Sequence, residues 1–400
     1  MNLEDVHDFY ERLPYPAPLT TLDGHRELYQ DSGRRRSQFH LLWPTEPLRG
    51  NLEILIAGCG TSQAARYAMR EPDARVTAID ISEMSLAHTS ALQRKHDLNN
   101  LELHQLSIES VQQLGRTFDL IVCTGVLHHL PDPDLGLRCL RDVLKPEGAM
   151  SLMVYAPYGR AGIYMLQEYC RRLGIGLTNE DLKDLADTLR ALPLNHPIAH
   201  TMRGALDFNH PDSLADALLH PLDRAYSVPE LFAWIERCGM SFGRWVEQAP
   251  YLPQCGDIAK TPHASRLASL PTAEQSAAVE LFRGTMVRHK FIVYREDSTR
   301  ERQPIDFVGT RWQEYVPIRS PSSVCVRERL PDGCVAVLIN RAHPFTDLIL
   351  TVDESEDRLL SAIDGKRTLT EILDVSGNGL RFFERLWQYD QVVFDASLNK

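Results

Sequence analysis

The segment from residue 51 to about residue 155 alternates between short apolar stretches and amphipathic ones, and this alternation restricts the fold most. The apolar stretches are LEILIAG, ARVTAID, LELHQLS, FDLIVCTG and AMSLMVY. Between them lie helical patterns such as SEMSLAHTSALQRKH, for which Ser82 is the expected N-cap. Strands that alternate with helices in this way predict an α/β fold with a parallel, doubly wound sheet buried on both faces.

The rest of the chain extends this core and adds a second region. SFGRWVEQ and HKFIVYRE have the pattern of two further strands, which would complete a seven-stranded sheet. Because 400 residues exceed one ordinary domain, we expect several parts. These are an N-terminal cover arm at 1–50, the core at 51–160, a helical lid at 161–240, closing strands of the sheet at 241–300 and a small α+β domain at 305–400.

Charge and composition exclude several classes of protein. The 43 Lys and Arg residues against 54 Asp and Glu give a formal charge of −11, which weighs against a nucleic-acid partner. No apolar run reaches the roughly 18 residues that span a bilayer, and the acidic start is not a secretory signal, so no membrane partner is expected. The eight cysteines are scattered without a CxxC pair, which favours reduced thiols in a cytoplasmic protein.

The tips of three predicted strands carry the residues with chemistry. The first strand ends in Gly58-Cys59-Gly60, where glycines allow close approach of a ligand to the backbone. Gln63 occupies the third position of the dinucleotide fingerprint, so a pyrophosphate binder is disfavoured. Asp80 ends the second strand, and a carboxylate there can accept both ribose hydroxyls. We therefore predict a nucleoside site without phosphate-binding machinery.

Four segments in order, AGCGT, AIDIS, FDLIVCTGVLHHLPDP and LKPEGAMSL, resemble the motifs of class I S-adenosylmethionine-dependent methyltransferases. The resemblance implies a Rossmann-like methyltransferase fold with S-adenosylmethionine as cofactor. It also implies the cofactor-binding residues, with an N-terminal tyrosine as a cover: Tyr10, Gly58, Cys59, Gly60, Thr61, Asp80, Ile81, Ser107, Ile108, Gly125 and Val126. The chain departs from the family pattern at Ile56, Ser62 and Ser107, where an acidic residue, a glycine and an aspartate are common.

Methyl transfer mainly requires alignment of acceptor, methyl group and sulfur, and a base only where the acceptor must lose a proton. His129, just past the fourth strand, is the first candidate base, and a structural role in capping the next helix is the alternative. Tyr155 and Tyr158 at the tip of the fifth strand are candidates to orient the acceptor. The alternative is that each ring only packs at the rim of the site.

The stretch from Asp216 to Tyr226 resembles the acceptor lid of related enzymes. That likeness adds His220 as a catalytic candidate, and Arg224 and Tyr226 as candidates to bind the substrate beside Tyr158. The histidines at 196, 200, 210 and 220 could suggest a metal site, but carboxylates at ligand spacing are missing, so no metal is predicted.

The last hundred residues suggest a role in recruitment or assembly. The segment from Ile363 to Ile372 resembles small winged-helix-like domains similar to pyrroloquinoline-quinone chaperones, which bind leader peptides; a packing or dimerisation module is the alternative. The sequence leaves the oligomeric state open. We predict methyl transfer to an O or N atom, or S, of a small metabolite; the alternatives are a peptide or protein methyltransferase with a recruiting C-terminal domain, and a regulator without catalysis.

Overall fold

A computed structural model describes residues 3–13, 15–199, 211–298, 303–373 and 379–397. The chain divides into two compact units. The first unit comprises Met1–Arg26, Gly50–Gly243 and Arg283–Ser298, and the second comprises Glu27–Arg49, Arg244–Phe282 and Thr299–Lys400.

The strands and helices are as follows. The strands are β1 (Glu53–Ala57), β2 (Arg75–Asp80), β3 (Leu101–Gln105), β4 (Phe118–Thr124), β5 (Leu144–Tyr155), β6 (Met240–Trp245), β7 (Arg288–Arg295), β8 (Val316–Arg319), β9 (Ser323–Val326), β10 (Ala336–Asn340), β11 (Ile349–Val352) and β12 (Val392–Asp395). The helices are α1 (Leu3–Arg12), α2 (Arg26–Gln30), α3 (Ser32–Leu42), α4 (Gln63–Arg70), α5 (Glu83–Lys95), α6 (Pro133–Asp142), α7 (Ala161–Leu173), α8 (Asn179–Arg190), α9 (Pro211–Leu218), α10 (Val228–Arg237), α11 (Ala264–Ala268), α12 (Thr272–Arg283), α13 (Glu354–Ser361), α14 (Leu369–Ile372) and α15 (Leu380–Gln388).

The predicted seven-stranded sheet is confirmed, in the order β3-β2-β1-β4-β5-β7-β6. β1 pairs in parallel with both β2 and β4, and β7 pairs antiparallel with β5. The chain moves outward from β1 to β3 and then returns to β4, so the crossover helices cover both faces of the sheet. This reversal creates a crevice beyond the carboxyl ends of β1 and β4, which is where open α/β sheets bind ligands.

Local sequence explains why these elements form where they do. β1 and β4 are almost wholly buried, as expected of strands covered on both faces. The Ser82 side chain accepts a hydrogen bond of 3.1 Å from the Ser85 amide, which confirms the predicted N-cap of α5. Asp132 caps α6 in the same way. β5 begins at Leu144, earlier than predicted, and its pairing with β4 shifts register between Phe118 and Leu120.

The second unit draws on three separate stretches of the chain, which differs from the predicted boundaries. Within it, Arg36 of α3 donates a hydrogen bond of 2.8 Å to Asp395 of β12. Its core includes Tyr315, Phe383 and Phe394. β9 and β10 form an antiparallel pair, in which Leu338 lies opposite Cys325. Residues 27–49 therefore belong with a C-terminal sheet rather than with a cover arm.

Candidate active site

A cavity of about 570 Å³ lies in the first unit at the carboxyl ends of β1, β2, β4 and β5. It falls within the size range typical of small-molecule sites. The structure brings most of the predicted cofactor residues to its wall. These are Tyr10, Gly58, Cys59, Gly60, Asp80, Ile81, Ile108, Gly125 and Val126.

The turn after β1 can be built only with glycine. Gly58 has φ +69°, and a Cβ atom there would lie 2.4 Å from Cγ2 of Val126. Gly60 has φ +55°, and a Cβ atom there would lie 2.9 Å from the Tyr15 carbonyl oxygen. The turn is fixed to β2, because the Gly58 and Cys59 amides both donate to the Ile79 carbonyl. A ligand can therefore approach the backbone closely at this turn.

Asp80 connects the tip of β2 to the glycine turn. Its carboxylate accepts hydrogen bonds from the Gly60 amide at 2.8 Å and the Ser82 amide at 3.0 Å. Burial raises the pKa of Asp80, while these amides favour the charged form. Backbone amides place this carboxylate at the cavity wall, where it can accept hydrogen bonds from ligand hydroxyls.

Two residues predicted to touch the cofactor lie outside the cavity wall. The Thr61 hydroxyl is buried and donates a hydrogen bond of 2.7 Å to the Pro16 carbonyl, so it holds the N-terminal segment against the glycine turn. The Ser107 hydroxyl donates to Ser110 at 3.3 Å, and its neighbours Ile108 and Glu109 line the cavity instead. In both cases a hydrogen bond, to Pro16 or to Ser110, holds the side chain away from the cavity.

The N-terminal segment forms part of the cavity wall, and Tyr10, which was predicted as a cover of the cofactor, lies in that wall. Val6, Tyr10, Tyr15 and Pro16 all line the cavity. The Tyr10 hydroxyl donates a hydrogen bond of 3.1 Å to Asp216 of α9. Burial, followed by the charge of Asp216, raises the pKa of Tyr10 well above its ordinary value, so the hydroxyl stays protonated.

His129 lines the cavity as a neutral imidazole. Its Nδ1 lies 2.5 Å from the Leu222 carbonyl oxygen, which can only accept, so Nδ1 carries the proton. The lone pair is then on Nε2. Burial lowers the pKa of His129 to about 4, against a weaker opposing effect of the Leu222 bond. His129 can therefore accept a hydrogen bond from a ligand.

His220 lies behind His129 rather than in the cavity wall, which corrects its assignment as a catalytic residue. The two rings stack with centroids 3.9 Å apart, and His220 also packs on Phe9. Its Nδ1 accepts a hydrogen bond of 3.1 Å from the Leu222 amide, and burial lowers its pKa to about 2. Its contacts position His129.

Tyr155 lines the cavity and is held by Arg160, a residue that sequence reasoning missed. The guanidinium carbon of Arg160 lies 3.5 Å from the Tyr155 ring centroid. Arg160 also pairs with Asp223 at 2.8 Å and donates to the Tyr164 hydroxyl at 3.2 Å. Burial opposes the charge of Arg160, but Asp223, Tyr155 and Tyr164 together raise the pKa of the guanidinium.

The predicted substrate residues do not reach the cavity. Tyr158 is 41% exposed on the surface, and Arg224 is also exposed. Tyr226 is buried but stacks on Trp234 with centroids 4.8 Å apart. Tyr226 follows an isolated bridge between Tyr155 and Ala225, so its role is to fasten the lid to the end of β5.

The cavity also contains Arg66 and Asp216, which sequence reasoning did not assign to the site. Arg66 lies one helical turn after the end of the glycine turn. This spacing was the feature of the sequence that could have assigned Arg66 to the site. Asp216 begins the lid stretch that contains His220. Asp216 is 4% exposed, and burial raises its pKa to about 6.

Among the described residues, no group of three His, Cys, Asp or Glu side chains could hold a metal ion. Residues 200 and 210, two of the four histidines considered for such a site, lie outside the described ranges. No helix in those ranges is long and apolar enough to cross a membrane.

Comparisons with known proteins agree with this geometry. Residues 55–150 match the family described as a methyltransferase domain. An uncharacterized protein of Synechococcus sp. is 32% identical over 298 residues, which cover 72% of this chain and 71% of that protein. A ubiquinone biosynthesis O-methyltransferase of Pseudomonas fluorescens is 31% identical over 125 residues, 28% of this chain and 53% of that enzyme. The match thus spans about half the length of that enzyme.

A solved structure shares the fold over both units. The structure of PKMT2 from Rickettsia typhi in complex with AdoHcy aligns with 95% of this chain and 77% of its own, with a TM-score of 0.64 and 14% identity. The fold, the glycine turn and the matched domain define a class I S-adenosylmethionine-dependent methyltransferase. Within that class, the chain belongs to the same family as the Synechococcus protein.

Proposed function

We propose that the cavity binds S-adenosylmethionine and that the enzyme transfers its methyl group to an O or N atom of a small metabolite. The observation that carries this proposal is the buried Asp80 carboxylate bound to the Gly60 amide at 2.8 Å. The cofactor fits this arrangement, because Asp80 can accept its ribose hydroxyls and the glycine turn leaves room for its backbone-like methionine end. Ile81 and Ile108 supply apolar surface for the adenine.

Arg66 is our candidate partner for the carboxylate end of the cofactor. It lines the cavity one helical turn beyond Ser62, whose carbonyl accepts a hydrogen bond of 3.1 Å from the Arg66 amide. Its Nε atom is buried and has no hydrogen-bond partner within the described part of the chain. A buried donor of this kind gains a charge-assisted hydrogen bond when a carboxylate enters.

The acceptor is proposed to lie in the cavity beside Tyr155 and His129, whose rings contact each other edge to face with centroids 5.5 Å apart. The cofactor supplies an activated methyl group on a sulfonium, so the protein mainly has to position the acceptor for attack. The Tyr155 ring is fixed by Arg160, and the His129 Nε2 lone pair can orient an O–H or N–H group toward the methyl carbon. The cover formed by Tyr10 and Tyr15 favours a small acceptor over a folded one.

A structure with S-adenosylhomocysteine tests this proposal. We expect the ribose at Asp80, the carboxylate near Arg66 and the sulfur facing the part of the cavity lined by Tyr155 and His129. Calorimetry should give one site per chain. Absence of binding, or a nucleoside located away from Asp80, would overturn the assignment of the cofactor site. Methylation of peptides but not of small molecules would show that the acceptor is a peptide and not a small metabolite.

A further inference from the structure

Asp216 is a buried carboxylate without a cationic partner in the described ranges. It is 4% exposed and lines the cavity. Its hydrogen bond comes from the neutral Tyr10 hydroxyl at 3.1 Å, and the nearby Tyr155 hydroxyl also favours its charged form. Buried charges in proteins are normally paired, because removal of an ion from water is expensive.

The nearby buried cation does not balance this charge. Arg160 has its own partner in Asp223, at 2.8 Å, with both side chains almost fully buried. Asp223 also accepts a hydrogen bond of 2.7 Å from Gln167. Arg160 and Asp223 together are neutral. Arg288 also lines the cavity, but it is exposed and forms no ion pair with Asp216 in the described part of the chain, so Asp216 remains the unpaired buried charge on this side. A carboxylate ligand would be repelled here, whereas a cation would be attracted.

Aromatic surface surrounds the same space. Tyr10, Tyr15 and Tyr155 all line the cavity, and ring faces attract cations electrostatically. Arg160 already occupies a position over the Tyr155 ring at 3.5 Å. Val6, Met153 and Ile163 supply apolar wall beside these rings. The combination of a carboxylate, aromatic rings and apolar wall suits an alkyl ammonium group.

We propose that the methyl acceptor is an amine whose nitrogen is held by the Asp216 carboxylate. This inference rests on the proposed function and narrows its acceptor class. The ammonium first transfers one proton to Asp216, which leaves a lone pair on nitrogen. That lone pair forms the N–CH₃ bond while the C–S bond breaks and its electron pair stays on sulfur. The products are a methylammonium group and S-adenosylhomocysteine, and Asp216 returns its proton to solvent.

Calorimetry with simple probes tests the inference. Protein saturated with S-adenosylhomocysteine is titrated with hexylamine, hexanol and hexanoate, which share one alkyl chain and differ in the head group. We expect hexylamine to bind more tightly than the other two. Asp216→Asn should weaken the binding of hexylamine by about tenfold or more, which is the equivalent of one charge-assisted hydrogen bond. Incubation with labelled S-adenosylmethionine should give N-methylhexylamine.

Two variants act as controls. Asp184→Asn removes a carboxylate from an exposed position on α8 and should leave the hexylamine affinity unchanged. Tyr10→Phe removes the hydroxyl that bonds to Asp216 but keeps the ring, and should retain the preference for hexylamine over hexanol. If Asp216 served only to anchor Tyr10, Tyr10→Phe would lose that preference as completely as Asp216→Asn.

The outcomes separate the inference from the proposed function. No hexylamine binding, equal binding of hexanol or hexanoate, or unchanged hexylamine affinity in Asp216→Asn would each overturn the amine assignment while the cofactor site stands. Failure of S-adenosylhomocysteine to bind, measured before any probe is added, would overturn the proposed function itself.

Discussion

The Gly60 amide donates a hydrogen bond of 2.8 Å to the Asp80 carboxylate, so the tips of β1 and β2 form one unit of the binding site. Each residue depends on the other. Gly60 supplies the turn through its φ of +55°, and Asp80 holds that turn in place while it faces the cavity.

Asp80→Ala should abolish measurable cofactor binding. The substitution removes the proposed ribose acceptor and leaves the Gly60 amide without its partner. Loss of hydrogen bonds to a charged group is worth about 1.5–3 kcal/mol each, so affinity should fall roughly 100-fold or more. Calorimetry with S-adenosylhomocysteine measures this. Glu83→Ala, at an exposed position three residues further along the chain, should keep the affinity; unchanged binding in Asp80→Ala would refute the ribose assignment.

Gly58→Ala should destabilise the first unit more than Gly115→Ala does. Both glycines have positive φ, +69° and +62°, so both variants incur a backbone strain of about 1–2 kcal/mol. Only at Gly58 would the new Cβ atom also collide, with Val126 at 2.4 Å, whereas nothing lies within 4 Å at Gly115. Urea denaturation measures the unfolding free energy of both variants, and the difference between them is the cost of the collision. Equal losses of unfolding free energy would show that the turn relaxes without it.

The His129 imidazole should remain neutral throughout the physiological pH range. Burial lowers its pKa to about 4, so its NMR signals should titrate only near that value. His129→Ala should reduce methyl transfer to hexylamine by about 10²–10⁴-fold if the ring orients the acceptor's proton-bearing atom. The affinity for S-adenosylhomocysteine should stay the same. Normal turnover in this variant would place that role on another residue.

Asp216 should make the stability of the protein depend on pH. Its pKa is raised to about 6 by burial; Tyr10, Tyr155, Arg160 and Asp223 are the charged or titratable groups that act on it. A raised carboxyl pKa favours the folded state below the unfolded value, and this contribution is lost as the pH rises toward 6. Asp216→Asn should therefore gain up to about 3 kcal/mol over the wild type at pH 7 and almost nothing at pH 4.

Denaturation of both proteins across this pH range tests the prediction. The comparison has to be a difference between the two proteins, because burial also raises the pKa of Asp390, in the second unit, to about 7. A difference in unfolding free energy that does not change with pH would show that the pKa of Asp216 is the same in the folded and unfolded states. A gain at neutral pH would mean that the site keeps this charge at the expense of stability.

The alternation of strands and helices was enough to predict the sheet and the strand tips that line the cavity. Periodicity and turn residues are local properties, so LEILIAG and ARVTAID predict β1 and β2 without knowledge of the rest. Once the strands are parallel, their carboxyl ends meet at one edge, and Gly58, Gly60, Asp80 and Gly125 converge there.

The motifs did not predict the direction in which each side chain points. Thr61 and Ser107 occupy the expected positions, but hydrogen bonds to Pro16 and Ser110 turn them from the cavity. His220 belongs to the expected stretch, but it stacks behind His129. A single hydrogen bond or ring contact decides which way such a side chain points, and its partner can lie far away in sequence.

The sequence by itself determined the sheet and the edge at which a nucleoside site was predicted, because these follow from patterns within short segments, and the resemblance of four motifs to class I methyltransferases implied the cofactor. Only the tertiary structure brought Arg160, Asp216 and Tyr10 to one cavity, since they come from the β5–α7 connection, α9 and α1. It also joined residues 27–49 and 244–282 to the C-terminal region. Contacts between distant segments depend on how the elements pack, and local periodicity carries no information about that packing.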